Sequence, residues 1–274
     1  MTHRILAAIL AVLAITCFII WRFADGDLRD FGLNAFTEVS GIIATVFIVD
    51  YLIKRKDEHR LLPQKARAYE DVRILTSRVV SFWTDIRESC VPGPWPSTLD
   101  ELFSNDSFTA ILHNLDMDSA SNVIPKRTWW TYFPQNIKEF KNHAERLLER
   151  HNQILEPKTY ASVHILATEV MDPSLIATIN SIDAKISFPR PRVLGSYYIV
   201  SDEYRNAIID LVRWCQKMRE FLENNGFDNL RQVISEPKKW DPKDPPPCMI
   251  SPEKIKIQFS DMELYRAQGN RLDI

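Results

Sequence analysis

Two long apolar runs lead the chain, and amphipathic stripes at helical spacing follow them. Residues 5–21 (ILAAILAVLAITCFIIW) carry no charge and are flanked by Arg4 and Arg22. Residues 33–53 begin polar-tinged, run apolar over 39–53, and break into Lys54-Arg55-Lys56. The second run is long enough for the roughly 20 residues that a bilayer-spanning helix needs. The first ends in Trp21-Arg22-Phe23, which suits an interfacial anchor. A signal peptide is the competing reading for it, but that would bring a shorter apolar core and small residues ahead of a cleavage site. An uncleaved span is therefore expected.

Charge sets the direction. The link over 23–34 carries Asp25, Asp27 and Asp30 against Arg29, whereas six Lys/Arg fall between Lys54 and Arg67. Lys/Arg excess beside a span marks the cytoplasmic side. The pattern predicts two spans in the inner (cytoplasmic) membrane, both termini cytosolic, and a short link outside.

Beyond the spans the apolar period is that of helices. A charged stalk is expected to about Leu62, with Pro63 forcing a kink or a restart. Over 66–88, Tyr69, Val72, Leu75, Val79, Phe82, Trp83 and Ile86 make one buried face. The break at 91–96 (VPGPWP) opens a long connection in which Ser97 and Asp106 start short helices. Pro134 is placed to begin the next long helix, striped by Ile137, Phe140, Ala144, Leu147, Leu148 and Ile154. Pro157 restarts the pattern through Tyr160, Val163, Leu166 and Val170. Asp172-Pro173 reads as N-cap and N1 ahead of Leu175, Ile176, Ile179, Ile182 and Ile186. Residues 193–200 are β-prone. Ser201 opens the clearest helix, seamed by Tyr204, Ala207, Ile208, Leu211, Val212, Cys215, Met218 and Leu222 and ended by Asn225-Gly226. In the tail, 241–252 reads as extended and mobile. Ile255, Ile257 and Phe259 then alternate as in a short strand or a docked tail; a free strand edge there could recruit a partner by β-addition.

These elements give an all-α fold, an N-terminal transmembrane helical hairpin followed by a cytosolic helical bundle. The division is 1–62 for hairpin and stalk, 63–227 for the bundle with an inserted lid at 91–134, and 228–274 for a partly extended tail. Seven glycines against sixteen prolines fit helices joined by proline-punctuated loops. A formal charge of -2 gives no basic bias, so nucleic acid is not an expected partner. Cys17, Cys90, Cys215 and Cys248 stand singly and read as reduced thiols.

Candidate chemistry is sparse. Asp50 sits one turn before Lys54 and reads as an i,i+4 ion pair. Glu38, near the outer boundary of the second span, either pairs with Arg22 to lock the hairpin or lines an oligomeric pore or sensing path. Gly41, Ala44 and Thr45 offer a strip for close helix contact. In 125–134 (PKRTWWTYFP), Lys126, Arg127, Trp129, Trp130 and Tyr132 make a candidate interaction or membrane-surface element. A hydrophobic plug over the bundle end is the more ordinary reading, and a base-stacking platform a third. No HExxH or paired Glu-x-x-His occurs. Glu139 and His143 share a face without a second pair, so no metal or other cofactor is expected. Neither GxSxG, a P-loop nor GxGxxG is present. Ser-x-x-Lys at Ser235–Lys238 and Ser251–Lys254 reads as a chance match in a tail that could not hold a geometry.

The order of these features resembles a large group of uncharacterised bacterial two-span membrane proteins. Thr37-Glu38, Gly41, Thr45 and Asp50 carry the match, and Trp129-Trp130…Phe140 and Leu155-Glu156-Pro157 extend it over 33–182. The resemblance implies a helical membrane protein without an established activity. Some two-span proteins of this general build act as membrane-disrupting effectors in phage defence. The expected function is a non-enzymatic, membrane-tethered interaction or effector protein whose bundle binds another protein or its own copies. The alternatives are a membrane-bound enzyme with a site under the 125–134 lid and a scaffold on an inert anchor.

Overall fold

The computed structural model describes residues 2–169, 172–233 and 246–267. Among the described residues the chain is all-α, with nine α-helices and no strand. It divides into two compact units, Met1–Pro63 and Gln64–Ile274.

In the first unit, α1 (Thr2–Phe23) turns at Gly26, whose φ of 63° suits glycine, into α2 (Asp27–Cys90). The Phe18 ring lies 5.6 Å from that of Phe36, tilted by 58°, and a Cβ on Gly32 would fall 2.6 Å from the Trp21 backbone nitrogen. Gly32, not Gly41, is thus the point of closest helix approach. Around Gly41 there is open space, so among the described residues nothing packs closely on that glycine. Cys17 and Val39 are buried, while Ile42, Val46, Phe47, Ile48, Val49, Leu52 and Ile53 remain exposed. The stretch Asp27–Ile53 is long and apolar enough to span a membrane.

The helix does not break at Pro63. It runs on to Cys90. Proline withholds one i→i−4 bond and costs about 3 kcal/mol, yet the bonds of the turns on either side remain. From Ala68 onward the buried stripe adds packing that favours helix continuation, and all seven residues forecast for that stripe are buried.

In the second unit the rest of α2 joins α3 (Leu99–Leu102), α4 (Asn105–Asn114), α5 (Trp129–His151), α6 (Pro157–Thr168), α7 (Pro173–Ile186), α8 (Asp202–Glu223) and α9 (Pro252–Ala267). α5 packs on α6 and α7, and α6 on α8. Trp83 is the hub. Its ring lies 4.7 Å from Phe108 and 5.9 Å from Phe133, and its indole N–H donates to the Tyr204 hydroxyl at 3.3 Å.

Local signals decide several boundaries. α5 starts at Trp129, five residues before Pro134, and contains that proline. Asn136 Nδ2 donates to the Tyr132 carbonyl at 2.8 Å, supporting the backbone beside the missing N–H. The cap of α3 is Thr98 rather than Ser97; its hydroxyl accepts from the Glu101 N–H. Asp172 caps α7 as expected, accepting from Ser174 N at 2.9 Å. α7 buries Ile176 and Asp183, but Leu175, Ile182 and Ile186 of its expected core stripe are exposed.

The β-prone 193–200 stretch becomes a single bridge and a 3-10 turn, Leu194–Ser196. Residues 115–117 lie between two other segments. Asp116 N donates to Cys248 O at 3.0 Å, Ile250 N to Asn114 O at 2.9 Å, and Met117 N to Arg192 O at 2.9 Å. The alternating Ile255, Ile257 and Phe259 lie in helix α9, which removes the short-strand reading with its free edge and leaves the docked-tail reading. Part of the segment expected to be extended (241–245), Val170 and the Ser235–Lys238 pair lie outside the described residues.

Candidate functional site

Of the candidates in the apolar unit, Arg22 and Glu38 are both exposed. Among the described residues no ion pair joins them. The register explains why. Phe18 meets Phe36 and Trp21 meets Gly32, which puts Arg22 level with about residue 31 or 32. Glu38 lies some six residues, roughly 9 Å, further along the helix. Arg22 instead sits 5.9 Å from the Phe23 ring centroid. The side chain of Asp50 lies outside the described residues, so its expected pair with Lys54 does too.

The aromatic segment is part of the body rather than a lid ahead of a helix. Trp129 and Phe133 are buried in the first turns of α5. Phe133 lies 5.6 Å from Phe82 and 4.8 Å from Tyr198, and Trp129 and Tyr132 are 5.4 Å apart. Trp129 therefore supplies core and not surface. Lys126 and Arg127 are exposed, with Arg127 Nη1 donating to Gln135 Oε1 at 2.6 Å. Trp130, half-buried, points to a different neighbourhood.

There a charged network gathers four elements. Trp130 Nε1 donates to Asp118 Oδ1 at 2.9 Å, and Arg192 Nε donates to the same oxygen at 2.8 Å. The Arg192 guanidinium lies 4.9 Å from the Trp130 ring centroid, within cation–π range. Lys254 Nζ reaches both Asp116 oxygens at 2.8 Å and Asp118 Oδ2 at 2.9 Å. Gln258 Oε1 accepts from Arg192 N at 3.1 Å. Burial raises the Asp118 carboxyl, but the hydrogen bonds from Trp130 and Lys254 and the charge of Arg192 outweigh it and hold its pKa below the usual value. For Lys254, burial lowers and the two carboxylates raise, with a net rise. Two carboxylates meet two cations, so the network is neutral within itself. It fastens α9 to the loops before α5 and before the 3-10 turn.

Sequence reasoning missed this set. Ser251–Lys254 is held in a defined geometry after all: Ser251 Oγ accepts from Lys254 N at 3.2 Å as a helix cap. Asp116 and Asp118 stand 138 and 136 residues from Lys254, and no local spacing announces such a pairing.

Among the described residues two cavities can be placed elsewhere in the body, and residues 125–134 line neither. One, about 240 Å³, is lined by Tyr69, Cys215, Gln216, Arg219, Glu220, Gln232 and Val233. Burial pushes the Cys215 thiol up to about 12, so it stays protonated at neutral pH. The other, about 180 Å³, is lined by Asp71, Arg78, His143, Arg146, Leu147 and Arg150. Glu139 does not join His143 there; it accepts from Gln135 Nε2 at 3.1 Å. Among the described residues no group of three or more His, Cys, Asp and Glu converges. Comparison with protein-family models, with curated proteins and with solved structures finds no match to this chain.

Proposed function

We propose that this chain is a membrane-tethered, non-enzymatic interaction or effector protein of the inner membrane. α1 and the 33–53 part of α2 cross the bilayer as a hairpin, and both termini stay in the cytosol. The helical body engages another protein or a second copy.

The observation that carries this reading is the uncovered apolar surface of Asp27–Ile53, whose most apolar window is only 6% buried. Its seven exposed large apolar residues from Ile42 to Ile53, leaving Tyr51 aside, are 40–57% exposed. At about 1.5–3 kcal/mol for each fully buried side chain, half-exposure of the set forgoes roughly 5–10 kcal/mol in water. That is comparable with the whole stability of a domain, about 5–15 kcal/mol. Hydrocarbon removes the penalty. The hydroxyls also suit lipid: Thr16, Thr37 and Thr45 each donate to the carbonyl four residues back, at 2.9, 2.9 and 2.8 Å.

Two further features support association. Glu38, about 7–8 Å inside the boundary at Leu33 by helical rise, has no ion-pair partner among the described residues and shares a face with Gly41 and Thr45. A carboxylate so placed favours a second hairpin as its polar neighbour. In the body, Leu175, Ile182 and Ile186 of α7 make an exposed apolar row suited to a protein partner.

The test is overexpression of the full chain with a membrane-potential dye. An effector depolarises cells, Glu38→Ala alters the effect, and exchange of both spans for an unrelated anchor abolishes it. Unchanged potential, with partner capture surviving the exchange, reduces the hairpin to an anchor. Recovery of the full chain in the soluble fraction overturns the tether itself.

A further inference from the structure

α2 and α5 run antiparallel in the body. Phe82 meets Phe133 and Phe140 at 5.6 and 5.3 Å, and further along the seam Asp71 Oδ2 meets His151 Nε2 at 2.8 Å. Between these contacts the seam opens into the 180 Å³ cavity. Arg78 is two turns after Asp71 on α2. His143, Arg146, Leu147 and Arg150 follow at three- and four-residue steps on α5, so each helix turns its lining residues to one side.

The charge of this cavity is unbalanced. Three arginines, all exposed to solvent, line it against one carboxylate, a formal excess of two positive charges, and that carboxylate already engages His151. Several other arginines of the body pair with acids, as in Arg73–Glu70, Arg190–Asp183 and Arg213–Asp100, while Arg87 and Arg127 donate to neutral oxygens. Among the described residues, no ion pair or hydrogen bond engages the guanidinium of Arg78 or Arg150. Among the described residues Arg146 commits only Nε, to the Asn142 carbonyl at 3.0 Å. Like charges gathered at one concavity repel, and the chain as a whole, at a formal -2, shows no general basic excess. A balancing anion from solution removes the repulsion.

We propose that the Arg78–His143–Arg146–Arg150 cavity binds a phosphomonoester-type anion, carried by a soluble phosphate compound or by a lipid headgroup. The size fits a small group. The cavity is below the roughly 300–1,000 Å³ of sites for drug-sized ligands, yet well above the roughly 10–15 Å³ that one water needs. Guanidinium forks match phosphoryl oxygens with paired donors, and three of them can share the three oxygens of one phosphate. His143 adds a neutral donor. Burial lowers its pKa first, and the nearby charge of Arg78 lowers it further, with Arg146 and Arg150 acting the same way against Asp71. A bound dianion reverses that balance and raises it. The site lies within Gln64–Ile274, so its failure leaves the membrane-tether reading untouched.

The experiment uses the full chain in nanodiscs of zwitterionic lipid, titrated calorimetrically with inorganic phosphate, pyrophosphate and soluble short-chain phosphatidic acid. Wild type, Arg78→Gln/Arg150→Gln and the control Arg213→Gln are compared, with thermal melting to verify folding. Saturable phosphate or pyrophosphate binding, weakened about tenfold or more in the double variant and unchanged in the control, supports the site with a soluble ligand. The same pattern confined to phosphatidic acid supports a headgroup. Should the double variant melt early, Arg146→Gln supplies the comparison. His-selective NMR is expected to show the His143 pKa rising on saturation. No saturable binding of any probe, equal binding by the cavity variants, or equal weakening in the control overturns the proposal.

Discussion

Replacing Lys254 by methionine keeps the apolar stem and deletes the ammonium that fastens α9. Three contacts of 2.8–2.9 Å to Asp116 and Asp118 disappear, leaving two carboxylates with Arg192 as their remaining cation. Hydrogen bonds to charged groups contribute about 1.5–3 kcal/mol each when well buried. The Lys254, Asp116 and Asp118 side chains are 33%, 15% and 37% exposed, so the Asp118 contact is discounted toward the surface value of about 0.2–1 kcal/mol. A net local cost of about 2 kcal/mol follows, or about a 30-fold increase in the opening of α9. Lys254 has a raised folded pKa, so its contribution is full below the ordinary lysine value and fades as pH rises through the folded one. Asp118 has a depressed folded pKa, so its share is full above the ordinary value and fades as pH falls through the folded one. The latch is therefore strongest between about pH 4 and 10. Hydrogen exchange of the full chain reads it directly. In Lys254→Met the α9 amides should exchange about 30-fold faster, and in the exposed control Lys256→Met they should not change. Exchange within about twofold of wild type in Lys254→Met would refute the latch.

Three other outcomes follow from the packing and the charges. Trp83→Ala, at a fully buried hub touching Phe108, Phe133 and Tyr204, should cost about 3–5 kcal/mol in denaturant unfolding; an unmoved midpoint contradicts the hub. His143 faces Arg78 and Asp71 from α2 and Arg146 and Arg150 on its own helix, and its folded pKa is depressed. Wild type should therefore lose stability as pH falls below about 6.5, with a slope that His143→Gln lacks; parallel melting curves contradict this. Gly32→Val puts a methyl group against the Trp21 backbone and should lower disulfide crosslinking of a Phe18→Cys/Phe36→Cys pair, whereas Gly41→Val should not; equal yields contradict the register.

Much of the helical layout was legible because burial writes its period into the sequence. The stripe of Tyr69, Val72, Leu75, Val79, Phe82, Trp83 and Ile86 is buried throughout, and so is most of the α8 seam. Proline misled twice. At Pro63 the local rule forecasts a kink or restart and at Pro134 a helix start, but in both places one lost hydrogen bond is outweighed by the turns on either side. α9 misled for another reason: a three-residue alternation is too short to separate period 2 from an exposed helix that buries little. The ion network and the arginine cavity were out of reach. Each is assembled from segments far apart in the chain, and single Asp, Lys and Arg residues carry no sign of what they will meet. The Glu38–Arg22 pairing failed on register, which the turn at Gly26 and the close approach at Gly32 set and hydropathy does not.

The membrane reading is tested most directly by cysteine accessibility in intact cells. Asp27→Cys and Glu263→Cys are introduced separately beside the four native thiols, all buried, and probed with a membrane-impermeant maleimide. If the apolar part of α2 crosses the bilayer with the body inside, position 27 labels in intact cells and position 263 labels only after permeabilisation. Equal labelling of position 263 before and after permeabilisation, or no labelling of position 27 in intact cells, would contradict it.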